Sequence, residues 1–160
     1  MTVRLAAHAD IPAMLALLEQ VGRVHHDIRP DLFRGDARKY DAAALAALLE
    51  DPNRPIFIGE VDGFVAGYAF CIFQEIRNDP VLQSRKELYL DDLCVDEAHR
   101  GKGIATVLYR HVRAFAREAG CQAVTLNVWC GNEAALAFYE KCGMKKRKIV
   151  MEMPLEDSQC

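Results

Sequence analysis

The chain has 160 residues, 51% of them hydrophobic and 27% charged, and carries a formal net charge of -3. That length favours a single domain over 1–160 with one core, and the composition excludes a disordered or fibrous chain. The slight acidic excess argues against a nucleic-acid partner, which calls for a strongly basic face. No apolar run approaches the ~18 residues that would cross a membrane.

The amino terminus, MTVRLAAHAD, has neither a basic leader nor a long apolar block, which points to a cytoplasmic protein. Residues 3–6 read as a first strand, after which Asp10 reads as an N-cap with Pro12 in the first helical turn. Ile11, Met14, Leu15, Leu18 and Val21 recur at helical spacing, and Gly22 reads as the stop. Residues 25–40 form the longest irregular stretch, broken by Pro30 and Gly35. A second helix is expected over 41–50, ended by DPNRP. The apolar runs 55–61 and 65–73 flank Asp62-Gly63, a strong hairpin signal.

A third long strand is expected over 87–95. The helix that follows carries Ile104, Leu108, Val112, Phe115, Ala116 and Ala119 as one apolar stripe, with Gly120 as its C-cap. A strand over 123–129 then completes a right-handed parallel crossover. The last helix is expected over 132–142 and a closing strand near 148–153. Six cysteines, at 71, 94, 121, 130, 142 and 160, show no paired C-x-x-C spacing. They read as reduced, mostly buried thiols, with Cys160 the one open to adventitious oxidation.

The most specific segment is 88–105, LYLDDLCVDEAHRGKGIA: an apolar strand, a glycine turn and the start of an amphipathic helix. Gly101 and Gly103 bare the backbone where the free N–H groups of a helix's first turn can face phosphate oxygens. A Walker-type loop is excluded because Lys102 is followed by Gly103 rather than Ser or Thr. A dinucleotide fingerprint needs an acid about 20 residues on, and 123–129 carries Asn127 and no acid. What remains is Arg100, two open positions, Gly103, one open position and Ala105.

That spacing resembles the R/Q-x-x-G-x-G/A motif of the GCN5-related N-acetyltransferases, the GNAT superfamily. YLDDLCV resembles that family's fourth strand, and Asn132, Ala135, Phe138, Tyr139 and Gly143 match its N-x-x-A-x-x-F-Y-x-x-x-G pattern, so the likeness covers 88–144. The resemblance implies an α/β fold with a mixed central sheet of six to seven strands and about four helices. Its fourth and fifth strands would splay apart.

The resemblance also implies acetyl-CoA as co-substrate. Its pantetheine arm would add along the backbone of Leu93, Cys94 and Val95 as an extra strand. Gly101, Lys102, Gly103, Ile104, Ala105 and Thr106 would supply amides to the pyrophosphate, with charge from Arg100. Asn132, Ala135 and Phe138 would complete that side, and Tyr139 would be the general acid to the CoA sulfur. By likeness to the family's polyamine acetyltransferases, Asp91 is favoured as the carboxylate at the substrate amine, with Asp92 second and Glu75 third. Adjacent strand residues face opposite sides of a sheet unless a bulge intervenes, so only one of Asp91 and Asp92 is expected to face substrate.

His25 and His26 read as lining the acceptor site, since adjacent histidines lack metal-ligand spacing and no metal is expected. Asp27, Asp31, Asp36 and Glu75 favour a cationic acceptor, although Arg29, Arg34 and Arg38 alternate with them. The basic run Lys145, Lys146, Arg147, Lys148 reads as a solvated strand entrance. The implied activity is N-acetylation of a small-molecule primary amine. Acetylation of a protein amino terminus or lysine, or a non-catalytic acyl-CoA sensor or interaction module, are the alternatives. Homodimerisation through carboxy-terminal strands is implied by the resemblance alone.

Overall fold

A computed structural model describes residues 1–155. Strands β1 (Thr2–Leu5), β2 (Ile56–Val61), β3 (Phe64–Ile76) and β4 (Arg85–Val95) pair antiparallel in that order. Strand β5 (Ala123–Thr125) then joins β4 in parallel. Asp62 and Gly63 both take positive φ, 50° and 81°, so the β2–β3 turn twists with its strands as a two-residue hairpin requires.

Alternating side chains of the strands feed two layers. Ile56, Ile58, Tyr68 and Phe70 pack with Met14, Leu17 and Leu18 of α1 (Ile11–Ile28) and Leu45 of α2 (Ala42–Leu49). Phe57, Ala69, Cys71, Leu88 and Leu90 pack with Leu108, Val112 and Ala116 of α3 (Ile104–Glu118). Phe138 and Tyr139 of α4 (Glu133–Lys141) close the margin of that second layer. Asp41 caps α2 by accepting the Ala44 N–H at 2.8 Å, and Asn132 caps α4 by accepting that of Ala135 at 3.1 Å.

Two expectations about α1 are corrected. Asp10 occupies the N-cap position, but its side chain makes no capping bond to the helix. Its carboxylate instead accepts two N–H groups of Arg4, at 2.7 and 2.8 Å, and the Ala7 amide, tying β1 to the helix entrance. Nor does the helix stop at Gly22; it continues to Ile28, placing His25 and His26 on its last turn. A Cβ at Gly22 would lie 3.1 Å from the Ala37 carbonyl, so this glycine allows close passage of the following loop and does not end the helix.

The sheet is irregular at one point that matters for everything above it. Phe70 faces Asp92 while Cys71 faces Leu90, so β4 carries Asp91 as an extra residue. The insertion exchanges the faces of β4. Leu88 and Leu90 belong to the α3 layer, but Cys94, of the same parity, packs in the α1 layer, and Leu93 and Val95 move to the α3 side.

The sheet has five strands among the described residues, not six or seven, and four α-helices. The expected strand over 123–129 pairs only at Ala123–Thr125, opposite Glu87–Tyr89. Without a ladder partner alongside, the expected strand over 148–153 does not form. Ile149, Val150, Met151 and Met153 stay at least 80% exposed. Side chains alone tether this run, Arg147 to Glu87 at 2.7 Å and Glu152 to Arg29 at 2.6 Å. Cys71 and Cys94 are buried free thiols, Cys121 and Cys142 are half-buried, and Cys130 is exposed. Cys160 lies outside the described residues.

Gly67 of β3 lies opposite Val95, and a Cβ there would fall 2.6 Å from the Cys94 carbonyl oxygen. Because that neighbour is backbone, Gly67→Ala is expected to force β3 and β4 apart. Chemical denaturation should show a loss of about 1–3 kcal/mol; an unchanged midpoint contradicts the packing described.

Candidate active site

The bulge sends both neighbouring acids toward one aromatic cluster. The Tyr68 hydroxyl donates to Asp92 at 2.9 Å, and Lys39 donates to Asp91 at 2.7 Å, with the Tyr40 hydroxyl 3.5 Å from the same oxygen. Tyr40 stacks on Phe70 at 5.9 Å and Tyr68 meets Phe70 edge-on at 4.6 Å. The expectation that only one acid faces the site is therefore corrected by the inserted residue. Burial pushes the Asp92 carboxyl up to about 6, against the Tyr68 hydrogen bond and the Lys39 charge, which pull it down.

Tyr139 approaches from the opposite layer. Its ring packs 5.0 Å from Phe138 and 5.9 Å from Tyr109, in the layer under α3. Burial raises its phenol first and the Asp92 charge adds to that, so it stays protonated across the physiological range. Between phenol and carboxylates lies the margin of β4 that β5 leaves open, because the β4–β5 pairing ends at Tyr89–Thr125. Leu93, Cys94 and Val95 are on this margin. The Cys94 thiol turns away, donating to the Leu17 carbonyl at 3.6 Å, and burial pushes it up to about 12.

At the far end of the same margin, Gly101 and Gly103 take φ of 75° and 79°, and a Cβ on either would meet nothing within 4 Å. Gly103 opens α3, whose first ladder bond runs from the Val107 N–H to the Gly103 carbonyl at 3.2 Å. The amides of Ile104, Ala105 and Thr106 precede that bond and head the helix dipole. Arg100 folds back, its Nε donating to the Val95 carbonyl at 3.2 Å, and Lys102 donates to the Ala98 carbonyl. Concave backbone, unladdered amides and open space together fit a diphosphate. Among the described residues no group of three His, Cys, Asp or Glu could hold a metal ion.

The loop after α1 walls the other side. His25 packs 5.0 Å from Phe33, which meets Trp129 edge-on at 5.0 Å, and His26 Nδ1 lies 2.7 Å from the Phe33 carbonyl oxygen. Burial, with the Lys39 charge second, lowers His25 and keeps it neutral. Arg29 pairs with Asp31 and Arg38 with Glu19, so the alternating charges of this loop are partly spent on one another and on α1. Glu75 is not brought in. It lies opposite Lys86, five register positions from Phe70, about 17 Å along the strand, and pairs with Arg77.

The model of the Acetyltransferase (GNAT) family matches residues 21–144. The chain belongs to that family. A crystal structure of a mutant protein from Bacillus halodurans superposes with a TM-score of 0.93 at 28% identity, covering 97% of this chain and 99% of that one. A streptothricin acetyltransferase of Streptomyces lavendulae is 34% identical over 95 residues, 59% of this chain and 46% of that protein. An aminoglycoside N-acetyltransferase solved in complex with CoA shares the fold, with a TM-score of 0.73 at 15% identity over 97% of this chain and 99% of that one. The chain spans less than half the length of curated relatives such as the Streptomyces protein.

Three residues that shape this GNAT site were not singled out in the sequence: Lys39, Tyr40 and Tyr68. Tyr68 carried a usable signal, since its strand parity groups it with Phe70. Lys39 and Tyr40 sit in an irregular loop, where periodicity says nothing about facing.

Asp92 titrates higher in the folded protein, about 6, than its ordinary value of 3.8. The folded state therefore holds that proton more tightly than the unfolded chain. Ionising Asp92 costs stability, nothing below about pH 4 and up to about 3 kcal/mol above about pH 6. Asp92→Asn keeps an acceptor for Tyr68 and removes the titration. Its melting temperature should gain on that of the wild type as pH rises from 4 to 7, and a difference constant with pH contradicts the assignment.

Proposed function

We propose that this chain moves an acetyl group from acetyl-CoA to a primary amine of a small molecule by direct attack. The observation that carries the reading is the placement of two carboxylates and one phenol on opposite sides of the open β4 margin, above the glycine turn. Acyl transfer to an amine needs a proton acceptor where the nitrogen enters and a donor where sulfur leaves. The two sides of the margin supply one each.

On this reading the exposed backbone of Leu93, Cys94 and Val95 receives the pantetheine arm as an added strand. Amides from Gly101 to Thr106 receive the pyrophosphate, and Asn132, Ala135 and Phe138 hold the start of α4 against it. Asp91, only 15% exposed at its side chain, binds the acceptor ammonium and takes its proton. Asp92, carrying a carboxyl near 6, sets the local charge from a buried seat beside Tyr68. A backbone N–H at or near Val95 polarises the thioester carbonyl. Tyr139 donates to the departing sulfur.

A small-molecule acceptor is supported by a relative named for streptothricin and by the contiguous aromatic contacts of His25, Phe33 and Trp129 beside the site. The test is CoA release across a panel of amines, with calorimetric binding of CoA measured in parallel. Tyr139→Phe is expected to lower kcat by about 10²-fold or more while leaving CoA affinity unchanged. Unchanged turnover in that variant removes Tyr139 from the reaction. CoA binding with no turnover on any amine overturns the catalytic reading.

A further inference from the structure

The Asp91 carboxylate already holds an ammonium, and it belongs to the protein. Lys39 Nζ lies 2.7 Å from Asp91 Oδ2 and 5.6 Å from the centre of the Tyr40 ring, a carboxylate and an aromatic face around one cation. Tyr40 is fixed by its stack on Phe70, so the backbone that delivers Lys39 is anchored beside the site. The Lys39 side chain remains 43% exposed, which leaves its amine free to shift. Three other lysines are engaged elsewhere: Lys86 with the Ala119 carbonyl, Lys102 with that of Ala98 and Lys146 with Glu140.

We propose that Lys39 is a self-acetylation site: seated on Asp91 where the acceptor nitrogen belongs, its amine is acetylated by its own active site when no other acceptor is bound. This rests on the reading of Asp91 as the carboxylate that receives the acceptor amine. The step is the same acyl transfer. Lys39 passes a proton to Asp91 and its nitrogen attacks the thioester carbonyl carbon of acetyl-CoA. The C–N bond forms and the C–S bond breaks. The thiolate takes a proton from Tyr139, which solvent restores, and one further proton is released. The products are Nε-acetyl-Lys39 and CoA. The resulting amide has no charge to hold Asp91, so the reaction is a single turnover that vacates the acceptor position.

The experiment incubates wild-type protein with acetyl-CoA and no amine, follows intact mass, and locates the modification by fragmentation. The expected result is one acetyl group at Lys39, formed with a rate constant independent of protein concentration. Asp91→Asn is expected to slow it by about 10²-fold or more, and Lys39→Arg to abolish the modification while leaving calorimetric CoA binding in place. If Asp91→Asn does not fold, Tyr139→Phe serves as the second control. Acetyl groups scattered over several lysines at rates unaffected by these variants overturn the proposal, as does a rate that rises with protein concentration. Amine turnover with Lys39 unmodified overturns this proposal and leaves the proposed function standing; failure to bind CoA overturns both.

Discussion

A single extra residue in β4 is the constraint on which the site depends. A sheet without it would send Asp91 and Asp92 to opposite layers and bury one of them under α3 or α1 with no partner, an expensive arrangement for a carboxylate. With Asp91 inserted between the Phe70–Asp92 and Cys71–Leu90 pairs, both acids reach the Tyr40–Phe70–Tyr68 cluster, where each finds a donor. A bulge also sharpens local twist. Above it β4 has no neighbour on the β5 side, and the strand's backbone is left available. One insertion thus brings both acids to one face, beside the stretch of β4 that β5 leaves unpaired.

The layers below the bulge give it something rigid to stand on. Leu88 and Leu90 are pinned against Leu108 and Val112, and Tyr68 and Phe70 against Met14 and Leu18. Gly67 lets β3 run close under the Cys94 carbonyl just above the irregular pair. Close-packed interiors of this kind do not deform gradually, so the two acids and Tyr139 hold fixed positions across the margin. The α1–α2 loop is different: it is held at discrete points, by His26 on the Phe33 carbonyl, Arg38 on Glu19 and Tyr40 on Phe70, with exposed residues between.

Much of the framework was legible because it follows from short-range rules. The Asp62-Gly63 turn, the apolar stripe of α3, the starts of α2 and α4 beside Asp41 and Asn132 and the glycine turn at 101–103 each have a local cause that the structure reproduces. The misreadings have a common source in tertiary context. Gly22 signalled a helix end, but here it serves a contact with Ala37 that no local pattern contains. The closing strand was read from apolar composition, yet a strand needs a ladder partner, and β5 is too short to provide one. Glu75 carries the right chemistry at the wrong register, which becomes visible only once β3 and β4 are aligned. The Lys39–Asp91 pair spans 52 positions between a loop and a strand, beyond the reach of any periodicity.

The charges around the margin also bear on how a phenol can serve a thiolate. Tyr139 is raised above its ordinary value, whereas a thiol titrates near 8.5, so full proton transfer from one to the other is uphill. Burial is the first cause of the rise and the Asp92 charge the second, and that charge varies with pH. Because burial raises Asp92 to about 6, most of its negative charge is present at neutral pH, and the phenol is less acidic there than at low pH. On the proposed reading, a hydroxyl held protonated in a half-buried seat is nevertheless a permanent donor, and a charge-assisted hydrogen bond to sulfur would stabilise the leaving group before any proton moves. Asp91, paired with the Lys39 ammonium at 2.7 Å, lies on the other side of the margin, so on the proposed reading acceptor and donor face each other across β4.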